Sequence, residues 1–240
     1  MTVSVCIATY NGATYLHEQI DSILAQLLHG DELLVSDDGS TDSTLEILHS
    51  YGPALRVVGK SRVGGVVPNF ARVLEHAVGD LIVLADQDDV WLPGRLARLR
   101  EELVSADLVM TNARVVDSQL QSGADVTLFD QLRPSTSFLR NLWKNSFVGC
   151  CIGFKRNLLH LALPIPSGTP WHDWLIGLLA CRGGKIRLVD TPYLLYRRHD
   201  GNVSTTGNAS PNGIVGKLVL RLQIIRALCI CLWRARSQGA

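Results

Sequence analysis

The chain has no CxxC pair, and its six cysteines (Cys6, Cys150, Cys151, Cys181, Cys229 and Cys231) fit no zinc spacing. A zinc module is therefore excluded, and buried, reduced thiols are expected. Aromatic residues are scarce, at 6% against 47% hydrophobic residues overall, so the core should be aliphatic, as in a sheet buried on both faces. Charge of one sign is also lacking. A net charge of +1 gives no general drive toward nucleic acid, and none is expected as a partner. No GxGxxG follows the first apolar stretch and no GxxxxGK[ST] occurs, which leaves out the dinucleotide fingerprint and the P-loop. No uncharged apolar run reaches the ~18 residues of a spanning helix, and the N-terminus shows no basic region before an apolar one. A cytoplasmic setting is expected, and no internal repeat is visible.

What is present centres on Leu81-Ile82-Val83-Leu84-Ala85-Asp86-Gln87-Asp88-Asp89-Val90-Trp91, five apolar residues running into three carboxylates. The apolar part reads as a buried parallel strand with the acids at its carboxyl end. Gathered acids repel one another, so a local cation is the simplest reason to collect them, and oxygen ligands suit Mg²⁺ or Mn²⁺. The alternative is an acidic turn that stops the strand and caps the next helix.

Alternation runs through the first half. Val3, Val5 and Ile7 mark a strand; Leu16, Ile20, Ile23, Leu24, Leu27 and Leu28 lie on one helical face; residues 32–36 form a second strand. Ser43 and Glu46 have capping-box spacing for a helix to about Tyr51, residues 55–58 a third strand, and Phe70, Val73, Leu74 and Ala77 a helix that leads into the acidic-ended strand. The order βαβαβαβ predicts an α/β fold with a Rossmann-like, mostly parallel sheet flanked by helices. Such sheets bind ligands outside the carboxyl ends of their strands, where residues 9–12, 37–38 and 86–89 converge.

Beyond the acids, Leu92, Leu96, Leu99 and Leu103 stripe a helix with Pro93 near its start, residues 108–110 form a strand, and residues 114–117 an edge strand. Residues 119–137 read as irregular surface loop and residues 146–154 as a buried strand. Asp173 opens an apolar helix between Trp171 and Trp174, where it is an N-cap or a base, and His172 beside it reads as an orienting or surface residue. Residues 203–212 read as a flexible linker. Residues 213–240 are helical in propensity and apolar between Lys217, Arg221, Arg226, Arg234 and Arg236, with no acid, so this helix either packs on the domain or meets an anionic membrane surface.

Val5-Cys6-Ile7-Ala8-Thr9-Tyr10-Asn11-Gly12, Ser36-Asp37-Asp38-Gly39-Ser40-Thr41-Asp42 and Asp86-Gln87-Asp88-Asp89, in that order and spacing, resemble the family 2 glycosyltransferases of GT-A fold. The form Asp86-Gln87-Asp88-Asp89-Val90-Trp91, with the tryptophan-flanked Asp173, resembles the bacterial rhamnosyltransferase-like branch. The resemblance covers residues 2–202, with a nucleotide-binding half to about 112 and an acceptor half from 113. It implies a nucleotide-diphosphate sugar donor, Mg²⁺ or Mn²⁺ on the diphosphate, and inversion at the anomeric carbon. Carried over, Thr9, Asn11, Asp38, Asp86 and Arg197 would bind the nucleotide sugar, Asp88 and His199 the metal, and Asp173 would be the general base; Asn69, in a glycine-rich stretch before a helix, either lines the nucleotide pocket or is a solvated loop residue. The expected activity is transfer of a sugar such as L-rhamnose from dTDP-rhamnose to a glycan or lipid-linked acceptor in cell-surface polysaccharide synthesis. A sugar-phosphate nucleotidyltransferase and a non-catalytic flavodoxin-like phosphoacceptor module are the other readings.

Overall fold

The computed structural model describes residues 1–122, 126–199 and 213–238; the expected linker lies outside the described residues. One eight-stranded sheet runs through the molecule in the order β3-β2-β1-β4-β7-β6-β8-β5. Its first half is the predicted alternation: β1 (Val3–Thr9), α1 (Leu16–Leu24), β2 (Glu32–Asp37), α2 (Thr44–Ser50), β3 (Arg56–Gly59), α3 (Val66–Leu74) and β4 (Leu81–Ala85). These four strands are parallel, with Thr9 level with Asp37 and Ile7 with Ala85, so their carboxyl ends form one rim. Val3, Val5, Cys6 and Ile7 of β1 and all of β4 are buried because helices cover both faces.

The second half adds β5 (Val90–Trp91), α4 (Arg95–Leu103), β6 (Leu108–Val116), α5 (Leu128–Leu132), α6 (Phe138–Trp143), β7 (Ile152–Lys155), α7 (Arg156–Ala162), α8 (His172–Gly183), β8 (Ile186–Arg197) and α9 (Ile214–Gln238). β7 runs antiparallel to β4 and to β6, and β8 runs parallel to β6. The expected division at residue 112 falls inside β6, so both halves share one sheet.

Local expectations differ from the structure at several points, each for a visible reason. The first helix stops at Leu24 because Asp31 accepts the Leu28 and Val3 amides and ties the following turn to β1. Ser43 and Glu46 form no capping box; Asp42, one residue earlier, takes the Thr44 amide and hydroxyl. Leu92 is not helical, because its amide donates to the Tyr193 carbonyl beside the β5–β8 pairing. Residues 114–116 continue β6, paired with the end of β8 beyond the reach of β7, and do not form a separate strand. Inside the stretch expected to be irregular, Thr127 and Asp130 close a capping box at the start of α5. The buried strand expected over 146–154 begins only at Ile152, after a short 3₁₀ turn at Gly149–Cys151.

Candidate active site

The rim of β1, β2 and β4 is assembled by side chains that bind backbone. Thr9 donates its hydroxyl to Asp37 at 2.8 Å, and Asp37 in turn accepts the Gly39 and Ser40 amides, which folds the Ser36-Asp37-Asp38-Gly39-Ser40 turn. Gly39 has φ of 75°, which a side chain would strain. Asp38 accepts the amides of Val63, Gly64 and Gly65. Burial pushes its carboxyl up, but those three amides and Arg72 outweigh it and hold the pKa below the ordinary value. Asn11 receives the Thr41 amide on its side-chain oxygen, which joins the β1 end to the same turn.

Asn69 is buried, and both ends of its side-chain amide are hydrogen-bonded. Its nitrogen donates to the Thr9 carbonyl at 3.0 Å, and its oxygen accepts from Ser36 at 2.7 Å and from Arg72. It stands buried behind the strand ends, whereas the sequence suggests a place lining the nucleotide pocket.

The acidic turn after β4 is pinned from both sides. Gln87 pairs with both backbone groups of Tyr10, accepting at 2.9 Å and donating at 3.1 Å, and Gln19 donates to the Asp86 carbonyl at 2.6 Å. A Cβ on Gly12 would stand 2.4 Å from the Gln87 oxygen, so only glycine allows this approach. Immediately after the acids, β5 pairs with β8, with Val90 opposite Leu195, and that pairing carries the end of β8 to the turn. Arg197 then donates its amide to Asp89 at 3.0 Å and its Nε to the Asp88 carbonyl at 2.7 Å; its remaining nitrogens reach Ser118 and Glu18, and its guanidinium lies 4.4 Å over the Tyr15 ring. At 2% exposure Arg197 clamps the turn from behind, the position from which the resemblance implies a contact with the nucleotide sugar.

His199 does face the acids. Its Nε2 lies 3.0 Å from an Asp88 carboxylate oxygen, and its ring packs on Tyr15. The two residues expected to share a metal are thus brought together from positions 111 residues apart. Burial, then Asp88, then Asp173 push Asp86 up to about 7. Burial and the charges of Asp88 and Asp86 hold Asp89 well above the carboxylate range, and Asp89 Oδ2 has no hydrogen-bond partner among the described residues. The Cys150 sulfur lies within 4.8 Å of Asp86 and Asp89. A hydrogen bond to Cys151, burial and the nearby Asp89 raise its pKa well above the thiol value, so it stands as a thiol beside two carboxylates and not as a thiolate ligand. Crowded carboxylates with one unpartnered oxygen and an adjacent imidazole fit a divalent ion of the Mg²⁺ or Mn²⁺ type.

Asp173 closes the opposite wall, near enough to Asp86 to raise its pKa. It lies in the first turn of α8 and accepts the Trp174 amide at 2.7 Å and the Gly149 amide at 3.1 Å. The 3₁₀ turn at Gly149 aims that amide. Burial raises Asp173 to about 6 despite those bonds. His172 is buried, neither an orienting partner of Asp173 nor on the surface: it stacks on Phe70 with ring centroids 4.0 Å apart, and neither ring nitrogen has a partner among the described residues. Burial lowers its pKa to about 3 and keeps it neutral. Gln87, Gln19, Cys150 and the β5–β8 pairing escaped the sequence reading; the glutamine between the acids was the available signal for the first.

The family model for glycosyl transferase family 2 matches residues 4–161. An uncharacterised glycosyltransferase of Nostoc sp. is 28% identical over 84% of this chain and 66% of its own length. A dTDP-rhamnosyl transferase of Shigella flexneri is 27% identical over 82% of this chain and 72% of its own length. The chain thus spans about two thirds of the length of these relatives. Among solved structures, Staphylococcus aureus TarS in complex with UDP-GlcNAc superposes with a TM-score of 0.70 at 22% identity, over 95% of this chain and 67% of that one. The Pyrobaculum calidifontis mannosyltransferase PcManGT, in complex with GDP-Man and Mn²⁺, superposes at 0.61 with 19% identity, over 99% of this chain and 76% of that one. The fold is that of the GT-A glycosyltransferases.

Proposed function

The chain belongs to glycosyl transferase family 2, and on that premise we propose that it is a metal-dependent, inverting enzyme that transfers a sugar from a nucleoside-diphosphate donor to a glycan or lipid-linked acceptor. The observation that carries this reading is the pairing of two walls: Asp88 and His199 in contact on one, and a carboxyl with a pKa near 6 on the other. Thr9, Asn11 and Asp38 line the rim where the nucleoside would bind, with Asn69 supporting them from behind. Asp88 and His199 would hold Mg²⁺ or Mn²⁺, and Asp86 would take the ribose side. When bound, the ion offsets the negative charge that builds up on the departing diphosphate.

The acceptor oxygen attacks the anomeric carbon from the face opposite the diphosphate. The bond from that carbon to the diphosphate oxygen breaks, its electron pair leaves with the nucleoside diphosphate, and Asp173 receives the acceptor's hydroxyl proton. Its pKa suits the task, since a base near 6 is ionised at neutral pH and still basic enough to accept a proton. The similarity to the Shigella dTDP-rhamnosyl transferase favours L-rhamnose from dTDP-rhamnose, and with it a place in O-antigen or related polysaccharide synthesis at the inner face of the cell membrane.

A mass-resolved screen of dTDP-rhamnose, UDP-GlcNAc and GDP-mannose for slow hydrolysis, with and without Mn²⁺, tests the reading. Release of a nucleoside diphosphate from one donor, in the presence of metal only, is expected. No turnover of any donor, or equal turnover in a chelator, would overturn it.

A further inference from the structure

Ile224, Ala227, Leu228 and Cys231 of α9 are buried, and the helix packs there on α7 and α8. On its opposite side stand Val215, Leu218, Leu222, Ile225 and Trp233, between 39% and 76% exposed, together with the exposed Cys229. At 3.6 residues per turn these six fall within an arc of roughly 80°. α9 therefore carries two apolar stripes back to back, one spent on the core and one facing outward.

The outward stripe continues onto a second element. Arg221 of α9 lies 4.7 Å over the Trp143 ring and donates to the Trp143 carbonyl, which seats α6 beside α9. Trp143 is 68% exposed and Leu139, one turn earlier, 75%. The two stretches of chain that carry this face hold no acid: none occurs in residues 131–172 or 213–240, and each stretch holds five cations. Arg140 on α6, Lys144 just after it, and Arg226 and Arg236 on α9 are exposed near the stripe, Arg226 also donating to the Ser167 carbonyl.

We propose that this α6–α9 face is a docking surface for an anionic lipid leaflet. An apolar stripe with exposed tryptophans, edged by cations, matches the headgroup boundary, where the apolar side chains enter the acyl region and arginines meet lipid phosphates. A second copy of the chain is a poorer occupant, because an isologous contact would bring cations against cations with no acid in the patch to pair them. The surface is also tied to the base. Trp174, next to Asp173, donates its indole nitrogen to the Asn141 carbonyl of α6 at 2.8 Å, so the leaflet would lie one helix away from the acceptor side of the cleft. The proposal rests on the glycosyltransferase reading only in making a lipid-linked acceptor the natural substrate; the surface itself does not depend on it.

Flotation of the full chain with vesicles of equimolar phosphatidylglycerol and phosphatidylcholine, and with phosphatidylcholine alone, tests it. The protein is expected to float with the anionic vesicles only and to be released by salt. Each basic residue near an anionic leaflet strengthens binding roughly fivefold, so R226Q/R236Q should partition about 25-fold more weakly. L218S/L222S/W233S should no longer float. Both variants should keep the wild-type melting temperature and donor hydrolysis. If the triple variant melts early, R226Q/R236Q decides alone. A wild-type chain that stays at the bottom of the gradient, or both variants floating like wild type, would overturn the proposal. So would a lipid-free dimer that the triple variant dissociates, which would assign the stripe to a second copy. Absent donor hydrolysis in a protein that floats would count against the catalytic reading and leave the docking surface standing.

Discussion

Two opposing influences meet at Asp173. The first turn of α8 and the amides of Trp174 and Gly149 favour its ionised form, whereas burial disfavours it, and burial wins, holding the pKa at about 6. Transfer at subsaturating substrate should therefore rise with pH through about 6 and level off above it, and the rising limb should vanish in Asp173→Asn along with roughly 10²- to 10⁴-fold of the rate. The same shift bears on stability. A carboxyl whose folded pKa lies above its unfolded value of about 3.9 contributes stability in full below that value and loses it as pH rises toward 6. Melting temperatures should fall across that window in the wild type and less steeply in the variant; parallel curves would refute the assignment. Asp88 contacts His199, and on the proposed reading the two would hold the ion together. Asp88→Asn should weaken donor binding in Mn²⁺ and leave it unchanged in a chelator, as calorimetric titration would show.

At the scale of elements, α8 is placed by what it lacks. Gly177 faces the Phe147 ring so closely that an added Cβ would stand 2.1 Å from a ring carbon. Phe147 leads into the 3₁₀ turn whose Gly149 amide holds Asp173, so the helix and the turn approach through that gap. Gly177→Ala should destabilise the fold by roughly 1–3 kcal/mol through overpacking, and should slow transfer because the first turn of α8 is displaced with it. Urea denaturation with unchanged midpoint would show that the gap is not needed. The helix was legible as an apolar run opened by an acid, but nothing in its own residues marked Phe147 as its neighbour.

Across the whole molecule, one sheet carries the rim formed by β1, β2 and β4 and the strands of the second half, and α9 closes the far side of α7 and α8. A chain truncated after Asn212 would uncover the surface that Ile224, Leu228 and Cys231 bury, so it should melt well below the full chain or aggregate. A truncation that melts like the full chain would mean that this packing contributes nothing. Among the described residues, no helix is long and apolar enough to cross a membrane, in agreement with the charges read along α9. By itself, the sequence determined the parallel first half, because alternating apolar strands and striped helices bury their faces in one way, and turn residues after each strand deliver Thr9, Asp38 and Asp86 to a common rim. Only the tertiary structure decided the rest. It placed Arg197 behind the acids and His199 upon them, put His172 against Phe70, and gave α9 two opposite apolar faces. These depend on antiparallel and distant pairings, β5 with β8 and α9 with α8, and local periodicity specifies which face an element buries but not which partner covers it.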